Sequence, residues 1–263
     1  MSTLAPAVRD SSTMLRRNLL HARRYPSLTL NLLLTPVMLL LLFVYVFGDT
    51  MSAGIGGAGA DRARYIAYLV PGLLLMTIGS TTIGTAVSVS NDMTEGIVAR
   101  FRTMAIHRAA VLVGHVVGSV LQAVASVVLV GAVGVAIGFR TTDATALEWL
   151  AAFGLLVLFA LALTWIAVGM GLISPSAEAA SNNALPLIFL PLISSAFVPV
   201  HTMPGWFQPI AQYQPFTPAI ETLRGLLLGT GIGANGWIAL AWCLALTALG
   251  YRWSTAVFNR DPK

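Results

Sequence analysis

The chain has 263 residues, of which 57% are hydrophobic and only 10% charged, with a formal net charge of +5. Soluble domains carry about 45–50% apolar and about 25% charged residues, so the apolar surplus excludes an ordinary soluble domain. Fourteen of the fifteen basic residues are arginine, and they gather at the ends of apolar runs rather than on one face, which favours membrane orientation over nucleic-acid binding.

The amino-terminal stretch Ser11 to Tyr25 opens on helix-start acceptors at Asp10, Ser11 and Ser12. Helical spacing brings Leu15, Leu19 and Ala22 to one side, flanked by Arg16 and Arg23, which predicts an amphipathic helix lying in the membrane surface. Pro26 marks the turn into the first apolar run, Leu28 to Phe47. That run is longer than the core of a signal peptide and lacks a nearby small-x-small cleavage site, so it is expected to remain as a span.

Further spans are predicted at Tyr65 to Val89, Ala109 to Phe139, Trp149 to Ile173, Asn183 to Val200 and Gly236 to Phe258. Each is near the roughly 20 residues that a helix needs to cross a bilayer core of about 30 Å. Continuous hydrophobicity without period-2 alternation excludes a barrel. The expectation is an all-α integral membrane protein with six transmembrane helices. The Gly-rich AGIGGAGA after the first span reads as an outer loop, and the lone Cys243 as a packing residue.

Eleven basic residues fall on one side of this six-span arrangement and four on the other, which predicts a multi-pass protein with both termini in the cytoplasm. Residues 91–108, between the second and third spans, are then cytoplasmic. They include Asp92, Glu95, Arg100, Arg102 and Arg108, whose burial in lipid would cost about 12–17 kcal/mol. Asp92 followed three positions on by Glu95 resembles a capping box and predicts a helix starting there. On it Ile97, Phe101 and Met104 form an apolar ridge, with Arg100, Thr103 and His107 on another side. Such a ridge requires a cover, either the chain's own helix ends, the lipid surface or a partner.

In the second span Ser80, Gly84 and Ser88 repeat every four residues with Thr81 and Thr85 beside them. In the third, Gly114 and Gly118 form GxxxG while His115, Ser119, Gln122 and Ser126 form a polar stripe. These residues read as close helix packing, and also as candidate lining of a substrate path. Between the fifth and sixth spans, four prolines break residues 201–230 into short pieces, with Trp206, Phe207, Tyr213 and Phe216 suited to a membrane interface. The expectation is a pair of re-entrant outer helices. Pro215, Glu221 and Arg224 on them are candidate members of an outer gate, the last two close enough in sequence to form an ion pair.

The stretches RRYPSLTLNLLLTPVMLLLLFVYVFG, NDMTEGIVARFRTMAIHRAAVLVGHVVGSVLQ and FVPVHTMPGWFQPIAQYQPFTPAIETLRGLLLG resemble, in order, ABC-2 type permeases of ATP-binding-cassette exporters, notably the daunorubicin-resistance branch. The resemblance implies a plasma-membrane permease whose loop forms a coupling helix in a groove of an ATPase subunit. The matching residues are Glu95, Gly96, Ile97, Arg100, Phe101, Arg102, Met104, Ile106 and Arg108; the family's usual proline is Ala105 here, and its asparagine Gln214. It also implies two ATPase copies carrying ATP and Mg, and a second permease, identical or related.

The residues agree on one point: a phosphate-cradling loop needs a lysine, and the only one is Lys263. No cofactor site and no catalytic or metal-ligating set is expected in this chain, and the four scattered histidines lack metal-ligand spacing. The ATP-driven export of a lipophilic drug-like or lipid-like compound competes with export of a polysaccharide or envelope lipid. From other classes, an ion-coupled carrier or a lipid-modifying membrane enzyme remains; apart from His115, ionisable groups are absent from the middles of the spans, which counts against the carrier.

Overall fold

The computed structural model describes residues 26–46, 48, 62–94, 108–141 and 144–259, with side chains from residue 34 in the first segment and from residue 112 in the third. The amino-terminal surface helix, the AGIGGAGA loop and most of the charged cytoplasmic segment lie outside the described residues. What is described is helical, with no strand among those residues.

Long helices are α1 (Pro26–Tyr45), α2 (Arg62–Thr94), α3 (Arg108–Ala136) and α4 (Ala146–Ile173). Shorter pieces follow: α5 (Ala177–Ala184), α6 (Pro186–Phe189), a 3-10 turn Leu190–Ile193, α7 (Gln208–Tyr213) and α8 (Phe216–Leu228), before the long α9 (Asn235–Phe258). Three helices, Arg62–Thr94, Leu112–Ala136 and Ala146–Ile173, are long and apolar enough to cross a membrane. The 24 residues of α9 extend about 36 Å, a sufficient length.

The centre of the bundle is α2. Leu69, Leu73, Leu75 and Ile78 are fully enclosed, together with Phe159 and Leu163 of α4 and Phe216 and Ile220 of α8. Its apolar window is 83% buried within the chain, whereas that of α3 is 33% buried, so α3 turns much of its surface outward. Facing pairs fix the directions. Val70 meets Gly134, Leu74 meets Gly131, Thr85 meets Ser119 and Asp92 meets His115, so α2 and α3 are antiparallel. Ala86 meets Gly171 and Ser90 meets Ser174, so α2 and α4 are parallel; Trp253 against Gly169 and Gly250 against Trp165 make α4 and α9 parallel.

Close approach depends on small residues. A Cβ on Gly72 would lie 2.7 Å from Ala196, one on Gly79 would lie 2.6 Å from the Leu187 carbonyl oxygen, and one on Gly171 would lie 2.5 Å from the Ala86 carbonyl oxygen. Gly72, Gly79 and Ala86 recur every seven residues, two helical turns, and form the seam of α2. The predicted packing set Ser80, Gly84 and Ser88 lies beside this seam.

The fifth predicted span, Asn183 to Val200, is not one uninterrupted helix. Pro186 and Pro191 each lack an amide hydrogen, and the ladder breaks into α5, α6 and the 3-10 turn. Leu185 (φ −51, ψ −40) and Leu190 (φ −52, ψ −43) stay right-handed, so the pieces follow one course. That course runs antiparallel to α2, with Leu187 over Gly79 and Ala196 over Gly72.

Two local signals set α4 and α8. Thr145 accepts from the Glu148 amide while the Glu148 carboxylate accepts from the Thr145 amide, a complete capping box at the start of α4. Gly229, at φ +66, ends α8 in the left-handed conformation that glycine tolerates best. Two short helical pieces, α7 and α8, lie in the segment expected to hold them. Trp206 and Tyr213 are exposed as an interface requires, but Phe216 is fully buried, its ring 4.9 Å edge-on from Phe159. α8 is buried nearly all round because it inserts among α2, α4 and α9.

Candidate functional site: the two ends of the central helix

At one end of α2, the structure corrects the reading of Asp92. Rather than capping a new helix, it lies within the last turn of α2, which continues to Thr94. Its Oδ2 is 2.9 Å from His115 Nε2 on α3, and both side chains are about nine-tenths buried. The imidazole N–H donates to the carboxylate, a charge-assisted bond that compensates part of the cost of removing either group from water. The acid is thus sheltered by a neighbouring helix.

Beside this pair, the Ser90 hydroxyl donates to the Ser174 carbonyl at 3.3 Å, and the Asn183 side-chain amide donates to Ser174 Oγ at 2.9 Å. The last two turns of α2 are therefore bonded to α3 and to the end of α4, which is in turn bonded to α5. Residues 95–107 connect α2 to α3 at this same end. Of the coupling residues implied by resemblance, Glu95, Gly96, Ile97, Arg100, Phe101, Arg102, Met104 and Ile106 lie outside the described residues, and Arg108 opens α3.

The candidate path residues occupy the middle of the α2–α3 hairpin. Ser80 and Thr81 donate to carbonyls of their own helix, from Thr77 and Ile78, and Ser126 to that of Gln122. Thr85 Oγ1 donates across to Ser119 Oγ at 2.8 Å. These hydroxyls are satisfied by the protein itself, whereas Gly84, Ser88, Ser119 and Gln122 keep partial exposure. A small void between α2, α3 and α4 is lined by Ile78, Ala123, Val127, Phe153, Leu156 and Ala160 and is wholly apolar.

At the opposite end stands Arg224 of α8. Its Nη1 donates to Glu221 Oε1 at 2.7 Å, and Nη2 donates to the Tyr68 carbonyl at 3.0 Å and the Ser195 carbonyl at 3.1 Å. The guanidinium also stacks over the Tyr68 ring, 3.7 Å from its centroid, while the Tyr68 hydroxyl donates to the Ser195 carbonyl. The ion pair expected from the sequence is present, but it belongs to a buried clamp joining α8, α2 and the turn after Ile193. Pro215 stands half-buried at the start of α8. Arg224 Nε, Ser195 Oγ and Tyr65 Oη are buried without a hydrogen-bond partner among the described residues.

Tyr68, Ser195 and the role of Asp92 as His115's partner escape a reading of the sequence alone. No spacing in the sequence marks the last, since Asp92 lies three residues before the connection 95–107 and His115 eight residues after it.

The family model of the ABC-2 type transporter matches residues 10–228. The chain is 30% identical over 247 residues to the daunorubicin resistance ABC transporter permease protein DrrB1 of Streptomyces coeruleorubidus, covering 92% of this chain and 82% of that one. It is 23% identical over 190 residues to the probable doxorubicin resistance ABC transporter permease protein DrrC of Mycobacterium tuberculosis, 68% of each chain. With apolar helices suited to a bilayer and a family match over most of its length, the chain belongs to the ABC-2 type transporter family of membrane permeases.

Proposed function

We propose that this chain is the permease subunit of an ATP-driven exporter that moves a lipophilic compound out of the cytoplasm or inner leaflet. The observation that carries the reading is the similarity to a daunorubicin resistance permease along 92% of the chain, with the family match over residues 10–228 taking in the charged loop. Two ATPase subunits, holding ATP and Mg²⁺, engage the loop through the apolar ridge Ile97, Phe101 and Met104 and the flanking Arg100, Arg102 and Arg108. A second permease, identical or related, completes the central path.

The geometry supports this division of labour. Residues 95–107 join the two helices of a long hairpin, so a push on the loop acts along α2, the element on which the rest of the bundle packs. The half-exposed Gly84, Ser88, Ser119 and Gln122 are the members of the polar stripes left to meet a substrate, and the Arg224 clamp with Glu221 and Pro215 closes the outer side.

Replacing Phe101 and Arg102 together with alanine tests the docking step. The variant is expected to insert into the membrane at the normal level while co-purification with the ATPase falls by at least tenfold; undiminished association defeats the assignment. Transport that persists when the ATPase's phosphate-binding lysine is replaced would favour an ion-coupled carrier instead.

A further inference from the structure

We propose that Asp92 and His115 form the joint that transmits motion from the cytoplasmic loop to the bundle: a pair of positioning residues, not substrate contacts. The inference rests on the exporter reading for the source of the motion, but its residues are chosen by geometry. The two side chains close the α2–α3 hairpin two residues before the end of α2, with 2.9 Å between Nε2 and Oδ2 and little exposure of either group. A hairpin joined only by its loop splays when the loop is pushed. One pinned at its base moves as a unit.

The same end of α2 is tied in the other direction. Ser90 reaches the Ser174 carbonyl at the end of α4, and Asn183 of α5 reaches the Ser174 hydroxyl. Displacement of the loop is thereby shared among α2, α3, α4 and α5 before it enters the apolar middle. Lower down the hairpin Thr85 and Ser119 provide only a neutral hydrogen bond, and beyond them the helices meet through small and aliphatic residues such as Leu74 against Gly131. Dispersion contacts hold distance but resist sliding weakly, whereas a directional charge-assisted bond fixes register.

The test uses the full chain purified with its ATPase subunit, with Cys243 replaced by alanine and Val198→Cys as a reporter just past Ser195, which meets Tyr68 at the far end of α2. Val198 is half-buried, so a thiol there can be reached and its exposure can rise or fall. Labelling by a membrane-impermeant maleimide is compared with and without trapping of the ATPase as its ADP–vanadate complex after ATP hydrolysis. In the background chain, trapping is expected to change the labelling rate at least fivefold. Asp92→Asn and His115→Gln are each expected to keep the ATPase bound and hydrolysing ATP, yet to reduce that change to less than twofold.

The exchange D92H with H115D restores the pair with its partners reversed and is expected to recover most of the response, which general loosening of the fold would not allow. The proposal is overturned if either single variant keeps the full response, if the exchange does no better than the singles, if the singles release the ATPase, or if the background chain shows no response. Failure of the background chain to retain any ATPase overturns the exporter reading itself, a separate result.

Discussion

Arg224 shows how a residue legible as charged can remain illegible in role. Its spacing from Glu221 is visible in the sequence, but the carbonyls of Tyr68 and Ser195 lie 156 and 29 positions away. The flat guanidinium serves several acceptors and stacks on a ring at once, geometry that an ammonium group cannot reproduce. Arg224→Lys is therefore expected to lose about 1–3 kcal/mol, the cost of leaving buried carbonyls short of a donor, and Arg224→Ala at least as much. Thermal unfolding in detergent micelles measures both. A lysine variant as stable as the parent would show that charge alone suffices. Asp92 misleads for a different reason: Asp followed three positions on by Glu marks a helix start, and the largely polar run SVSN before it hides that α2 has not yet ended.

Among elements, five of the six predicted spans coincide with single helices whose boundaries are close to those expected, and three of these are long and apolar enough to cross a membrane. The fifth does not, since Pro186 and Pro191 sit five residues apart and interrupt its hydrogen-bond ladder. The packing seam is only partly legible in the sequence. Four-residue spacing of serine and glycine is conspicuous, but Gly72 and Gly79, at the less obvious seven-residue spacing, are also points of close backbone approach. Gly79→Val is expected to destabilise the protein by about 1–3 kcal/mol, as overpacking usually does, because the obstacle is the Leu187 carbonyl and not a movable side chain. Gly154→Ala meets nothing within 4 Å and is expected to be neutral or to stabilise by up to about 1 kcal/mol. Equal effects of the two substitutions, read from the same melts, would remove the steric argument.

For the molecule as a whole, the directions of the helices agree with alternation across a membrane. α2, α4 and α9 are parallel to one another, while α3 and the broken fifth segment run the other way along α2. If the arginine distribution sets orientation, Thr94 faces the cytoplasm and Thr202 the outside. With Cys243 replaced, a cysteine at position 202 is expected to react with an impermeant thiol reagent in intact cells, and one at position 94 only after permeabilisation. The reverse pattern would invert the topology and with it the assignment of the loop to an ATPase. The outward faces of α1 and α3, including Met38, Leu42, Leu121 and Val128, were legible as apolar, but what covers them depends on neighbours that a single chain does not contain.

The Arg224 clamp at Tyr68 and the Asp92 pair lie 24 residues apart on one helix, about 36 Å, and no charged residue of α2 intervenes. Polar anchors at a fixed separation act as a gauge of hydrocarbon thickness. In vesicles of phosphatidylcholines with progressively longer acyl chains, the protein should perform best at one matched length and lose activity in both thinner and thicker bilayers, because mismatch would draw one anchor or the other toward the acyl chains.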